Sequence, residues 1–392
     1  MNRSHIARKA AIIGVGQSAI GRTPGRRSLD LMLEATDRAL ESAGLDVTAI
    51  DGLITLPSMT EHWLMPAAVV AQGLCLEPKF LTTINLTGAG GVAMIDQAAM
   101  AIAAGACETV LCVAAEPLLS GMTRDRAVSV MACSAANREG ECYAGATVPS
   151  LYALIAARHM HVYGTTCEEL ASVAVQMRKH AALNANAHFR NPISLSDVLS
   201  SKVIATPLHL LDCAPVSDGG AAVIVVSAER ARQLKTDSAR LLGCGYGISN
   251  AYLTDAKDPL VTGAGMSGKT AFLNAGLTPR DMQFGCLYDC FTITLLMELE
   301  SLGLCPRGES GAFVSSGGID RSGSMPINAN GGLLSGGHPG LPAGLLPVVE
   351  AARQIMKEAG AHQLPNVDLG LIHGNGGIMG VHCTLIMGSG NV

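Results

Sequence analysis

Three side chains in the C-terminal part of the chain can move protons, and each stands where an apolar run gives way to a turn. Tyr288 ends the run FGCLY, His338 lies inside INANGGLLSGGHPGLPAGLLP (327–347), and His373 ends VDLGLIH and precedes GNGGIMG. Phenol and imidazole are acid–base groups. The glycines around His338 let backbone approach a ligand closely, and a helix predicted from about Pro342 offers free N–H groups suited to an oxyanion or phosphate. Ligands of open α/β sheets bind beyond the carboxyl ends of strands, so the pattern predicts that the three converge on one site. Taken singly, Tyr288 or His373 reads more readily as a cap or a packing group, and His338 equally as a histidine satisfied in a tight turn.

The elements that must position them follow from periodicity. Residues 10–16 (AAIIGVG) read as a buried strand. A helix is predicted over 28–43, with Leu29, Leu31, Leu33, Ala35 and Leu40 at helical spacing and Gly44 as its stop. The run AGLDVTAIDGLI then gives a turn and a second strand, and TAFLNAGLTPRDMQFGCLY (270–288) repeats it, with Leu45→Ile50 and Leu277→Met282 at the same offset. A Gly-rich turn feeding a helix and then a strand occurs at 85–116 and again at 327–373. Two like halves, 1–235 and 236–392, indicate an internal duplication. The helix predicted at 91–104 carries only Asp96 and Gln97 as polar residues, which requires burial on all sides. The runs TVLCVAA and AAVIVV are apolar throughout, as in sheets covered on both faces. Residues 118–205 hold most of the polar matter and read as a helix-rich insertion in the first half.

Composition narrows the class. The chain of 392 residues is 48% hydrophobic and 15% charged, with 45 glycines, which describes a packed α/β protein and excludes disorder. A net charge of −5 without a basic run argues against nucleic acid. No window has the length of a membrane span, and the N-terminal apolar run, broken by Gly14 and Gly16, reads as a strand rather than a signal peptide. The C-terminal SGNV carries no address. A cytoplasmic protein with reduced cysteines is expected. The twelve cysteines are scattered, and Cys286 and Cys290 lack the second pair that a zinc set needs, so no metal is expected.

The runs HLLDCAPVSDGGAAVIV (209–225), YDCFTITLLMELESLGLC (288–305), NANGGLLSGGHPG (328–340) and IHGNGG (372–377) resemble the thiolase superfamily, and YALIAARHMHVYGTT (152–166) is similar to its sterol-carrier and lipid-transfer branch. The resemblance implies an α/β thiolase fold: two similar halves in five layers, α/β/α/β/α, with an inserted helical loop domain at about 118–205.

Its departures bear on chemistry. Thiolases carry a nucleophilic cysteine in N-x-x-C-x-x-G; here the turn is Asn85-Leu86-Thr87-Gly88-Ala89-Gly90-Gly91, and Gly88 has nothing to acylate. The second cysteine turn reads His373-Gly374-Asn375-Gly376-Gly377. Cys133 and Cys142 in the insertion have no activating neighbour, and Cys383, inside the strand VHCTLIM, reads as a buried structural residue. The resemblance implies that His338 and Tyr288 shape an oxyanion site and that His373 matches a histidine near the second turn. Backbone at Gly88, Gly374, Asn375 and Gly376 would supply further donors. Aldolase relatives share Tyr in YDCF and the missing cysteine, but have tyrosine where this chain keeps His338.

The expectation is retro-aldol cleavage of a β-hydroxyacyl-CoA, with Tyr288 or His338 as base and each enolate donor worth about 3 kcal/mol. Acyl transfer by an unidentified route and a non-catalytic acyl-CoA-binding subunit are the alternatives. Coenzyme A enters as part of the substrate and nothing is bound covalently. Arg178, Lys179, Arg190 and Lys202 are candidates for its phosphates. The resemblance also implies a homodimer and a small OB-fold and zinc-ribbon partner.

Overall fold

The computed structural model describes residues 9–135, 140–234 and 237–390. The predicted boundary between halves at 235/236, the first eight residues and the end of SGNV lie outside them.

The first half runs β1 (Ala10–Gln17), α1 (Ser28–Ala43), β2 (Gly52–Thr55), α2 (Pro66–Gly73), β3 (Phe80–Thr83), α3 (Gly90–Ala103) and β4 (Thr109–Pro117). The insertion follows as α4 (Arg124–Ala135), α5 (Val148–Tyr163), α6 (Cys167–Ala181), α7 (Leu195–Ser200) and a hairpin of β5 (Val203–Ala205) and β6 (Leu208–His209). Strand β7 (Asp218–Ser227) and α8 (Ala228–Leu234) close the half. The second half runs β8 (Ala239–Ile248), α9 (Gly263–Ala275), β9 (Phe284–Cys286), α10 (Thr292–Ser301), α11 (Ser310–Ser315), α12 (Gly332–Gly336), α13 (Leu346–Met356), β10 (Leu369–Gly376) and β11 (Val381–Gly388).

Strand order exposes the duplication. The first half is ordered β3-β2-β4-β7-β1 and the second β9-β10-β11-β8, the two joined where β1 pairs with β8. Ile327 bridges Gly285 in parallel, taking beside β9 the place that β3 takes beside β2. In each half the second strand pairs in parallel with the fourth, and the last strand runs antiparallel between the fourth and the first.

Helix α3 packs on strands of both halves, as does α13; α1 and α9 cover the outer faces. This is the five-layer α/β/α/β/α order. Asp96 stays buried within α3 because it accepts the Tyr246 hydroxyl of β8 at 2.9 Å. Burial of a polar group costs free energy unless a partner replaces water.

Boundaries follow local chemistry. Helix α1 ends at Gly44 (φ 64) as the pattern predicts, because that cap is left-handed. The helix expected from Pro342 opens instead as a 3-10 turn over Leu341–Leu345 and becomes α-helical at Leu346. Gly91 and Gly344 meet there backbone to backbone, so the layers approach more closely than side chains would allow.

Candidate active site

A cavity of about 240 Å³ opens where the turns of both halves meet the insertion. Its wall is mostly apolar, with Met59, Leu118, Met131, Val148, Phe291 and Leu341 among the lining. Its polar side chains include Thr87, Tyr288, His338, Asn375 and, from helix α5, Tyr152.

Tyr288 and His338 come together as expected. The Tyr288 hydroxyl lies 2.9 Å from His338 Nε2, with the rings edge to face at 5.6 Å. Burial pushes the His338 imidazole down to about 4 and the Tyr288 phenol well above its ordinary value. Near neutral pH both are uncharged, so one proton is shared along a Tyr–His line.

Three neighbours fix this dyad. Asp289 accepts the Leu333 N–H at 2.7 Å and the Leu334 N–H at 3.3 Å, tying the strand end after β9 to helix α12. Burial pushes its carboxyl up to about 7. Gly332 (φ 59) belongs there because a side chain would overlap that carboxylate. Asn328 holds the other side of the strand end, donating to the Leu287 carbonyl at 2.9 Å and accepting the Leu287 N–H at 2.8 Å. The Ser217 hydroxyl accepts the His338 backbone N–H at 3.2 Å and is paired with His188 Nδ1 at 2.9 Å. The YDCF, NANGG and VSDGG runs thus hold one another, although only their glycines and titratable residues stood out in the sequence.

Gly88 explains its own lack of a side chain. A Cβ there would meet Tyr288 Oη and Cζ at 2.5 Å and overlap the Asn375 carbonyl. The phenol therefore occupies the space that a residue-88 nucleophile would need.

The other expected positions are placed differently. His373 does not line the cavity: strand β10 continues through Gly376, so this histidine is mid-strand and fully buried. Its Nδ1 pairs with Thr384 Oγ1 at 2.8 Å and its Nε2 with His382 Nδ1 at 2.9 Å. Gly374 and Gly376 pack against the 86–89 turn and are also outside the lining; Gly88, Asn375 and Gly377 are within it. Arg178 is buried, donating to Ser335 Oγ at 3.0 Å and stacking over Phe189. Lys179 pairs with Asp320, while Arg190 and Lys202 are exposed away from the cavity.

Glu298, His373 and His382 bring three possible ligand atoms within 4.8 Å. The histidine nitrogens, however, face each other. Ring centroids 5.1 Å apart for a 2.9 Å N···N contact place the two rings in line, as in an imidazole–imidazole hydrogen bond. His382 Nε2 donates to the Met379 carbonyl at 3.1 Å, which leaves Nδ1 to accept from His373. Among the described residues neither side-chain oxygen of Glu298 has a hydrogen-bond partner, His373 Nε2 lying 3.9 Å from Oε1, and burial raises its carboxyl well above the ordinary range, which favours the neutral acid.

Sequence reasoning missed Tyr152, Cys213 and Cys290, all in the cavity wall. Burial pushes both thiols up to about 12, so neither is a thiolate near neutral pH. Cys133 and Cys142 do not line this cavity, and Cys383 is fully buried in β11.

A duplicated five-layer α/β fold with its site between the two like turns is the thiolase architecture. The thiolase N-terminal domain model matches residues 10–229 and the thiolase C-terminal domain-like model residues 245–389; the chain belongs to the thiolase family. It is 38% identical over 336 residues to a steroid side-chain-cleaving aldolase of Thermomonospora curvata, covering 83% of this chain and 85% of that one. It is 32% identical over 385 residues to an acetyl-CoA acetyltransferase of Methanothermobacter thermautotrophicus, covering 96% and 99%. The solved Ltp2-ChsH2(DUF35) aldolase superposes with a TM-score of 0.86 at 32% identity, covering 98% of each chain.

Proposed function

We propose that this enzyme cleaves the Cα–Cβ bond of a β-hydroxyacyl-CoA by a retro-aldol reaction. The observation that carries it is the Tyr288 hydroxyl lying in the residue-88 space and bonded to His338. Thiolysis requires a nucleophile to hold the acyl group. Gly88 supplies none, and the cavity thiols are protonated.

The cleavage needs only proton transfers. The substrate β-hydroxyl proton passes to Tyr288 as the tyrosine proton passes to His338 Nε2. The Cα–Cβ electrons move onto the thioester, giving a carbonyl product and a thioester enolate. The proton held by His338 then returns to Cα, which releases the shortened acyl-CoA. Atoms and charge balance, and no free CoA is consumed.

The apolar wall suits a bulky hydrocarbon acyl group, in agreement with the similarity to a steroid side-chain-cleaving aldolase. A small partner protein belongs to the proposal, on the similarity to a solved aldolase that contains a DUF35 component; a homodimer does so by family resemblance. No helix among the described residues is long and apolar enough to cross a membrane. Twelve free cysteines suit a reducing, cytoplasmic setting. The similarity to an acetyl-CoA acetyltransferase supports acyl transfer as the second reading.

The test incubates the protein, alone and with its small partner, with β-hydroxyacyl-CoAs or with β-ketoacyl-CoAs plus free CoA. Mass spectrometry should find a ketone or aldehyde and a shortened acyl-CoA from the first panel only. CoA-dependent cleavage of the second panel would overturn the lyase.

A further inference from the structure

We propose that Tyr152 is a positioning residue of this site: from helix α5 of the insertion it holds the Asn375–Met379 turn in its active shape, so that the cover of the cavity and its floor act as one device. The functional arm rests on the lyase reading; the structural arm does not.

The Tyr152 and Asn375 donors both find acceptors, with Cys290 also beside the Tyr152 hydroxyl, whereas the buried Asn375 Oδ1 has no hydrogen-bond partner among the described residues. The Tyr152 hydroxyl lies 3.3 Å from the Gly377 carbonyl and 3.0 Å from Asn375 Nδ2. A carbonyl only accepts, so the hydroxyl donates to Gly377 and accepts from the Asn375 amide. Burial keeps the phenol protonated, with its pKa raised well above the ordinary value. The second Asn375 N–H reaches Met379 Sδ at 3.2 Å. Met379 itself sits in the left-handed region (φ 53), which its side chain disfavours and its neighbours must hold. On the far side the Gly377 N–H donates to Thr87 Oγ1 at 2.7 Å, next to Gly88.

The connection therefore runs from the insertion through Tyr152 and Gly377 to the Gly88 turn on which Tyr288 rests. The ring is fixed as well, stacked on Phe291 at 4.3 Å and 24°. Phe291 shares the YDCF run with Tyr288, so movement of α5 is felt on both sides of the dyad. The network does not need Tyr152 to touch the substrate.

The experiment compares wild type with Tyr152→Phe, which keeps the stack and removes the hydroxyl, and with Asn375→Leu, which breaks the same connection if the first variant fails to fold. Amide hydrogen exchange over residues 376–380 is read first, on the full chain without substrate. The expected result is exchange about fivefold faster in either variant, the effect of one buried hydrogen bond. Unchanged exchange overturns the proposal. On a β-hydroxyacyl-CoA, kcat should fall about tenfold with KM within about threefold, as displaced reacting groups require. The double variant should be no worse than the weaker single. Unaltered kcat, or losses that multiply, also overturn it. Wild type that turns over nothing sinks the lyase reading alone, since the exchange arm still decides the clamp.

Discussion

The Tyr288–His338 contact, 2.9 Å long, is the smallest unit that carries the proposed chemistry. Tyr288→Phe should leave the fold intact and lower lyase kcat by about 10²–10⁴-fold, the worth of a positioned acid–base group. Because the imidazole is held down to about 4, the limb of the kcat/KM profile set by His338 should fall only near 4, apart from any step near 7 that Asp289→Asn removes. An inflection near 6.5 that persists in Asp289→Asn would contradict this. Gly88→Cys should not produce a thiolase: the new side chain meets the phenol, and overpacking costs about 1–3 kcal/mol, read as a lowered Tm with no thiolysis. At this scale the sequence was legible where residues are reactive. Tyr288, His338 and Gly88 stood out by type and motif. His373 misled because the end of β10 cannot be placed within three residues from its glycines, and one register step moves a side chain from the cavity to the core. Tyr152 was hidden because an aromatic in an amphipathic helix reads as packing; its two partners lie more than 200 residues away, at Asn375 and Gly377.

Elements bring the two turns together by a backbone crossing rather than by side chains. Gly91 of α3 and Gly344 of the turn before α13 leave no room for a methyl group, and Gly344 abuts the Gly88 carbonyl. Gly344→Ala should therefore destabilise the protein by about 1–3 kcal/mol in denaturant titration and also lower kcat, since Gly88 and the His338 turn shift together. Full activity at wild-type stability would contradict this account of the crossing. The helix itself was readable: α3 has two polar residues in fourteen, and only burial between sheets tolerates that. The crossing was not, because glycine in a sequence does not reveal whether it serves a turn, a cap or a close approach.

For the whole molecule, buried neutral histidines link stability to pH. His382 is held down to about 4 in the folded state, below its unfolded value of about 6.5. The unfolded chain therefore binds the extra proton between those values, and the stability His382 contributes is complete above 6.5 and lost as pH falls toward 4. The stability gap between wild type and His382→Gln should narrow by about 1.4 kcal/mol per pH unit across that window. A constant gap would show that His382 is not held neutral. Asp289, raised to about 7, works in the opposite sense, favouring the fold as pH falls below 7, so the variant difference is the informative quantity. The duplication was visible as two repeated turn–helix–strand layouts; the edge-to-edge join of β1 and β8 was not, because it rests on two residue pairs. The central claim, cleavage without an acyl-enzyme, is tested most directly by counting free thiol during turnover of a β-hydroxyacyl-CoA. The account predicts one carbonyl product and one shortened acyl-CoA per substrate, with no CoA consumed and no acyl adduct in the intact protein mass. Consumption of one CoA per cleavage, or an adduct on any cysteine, would contradict it.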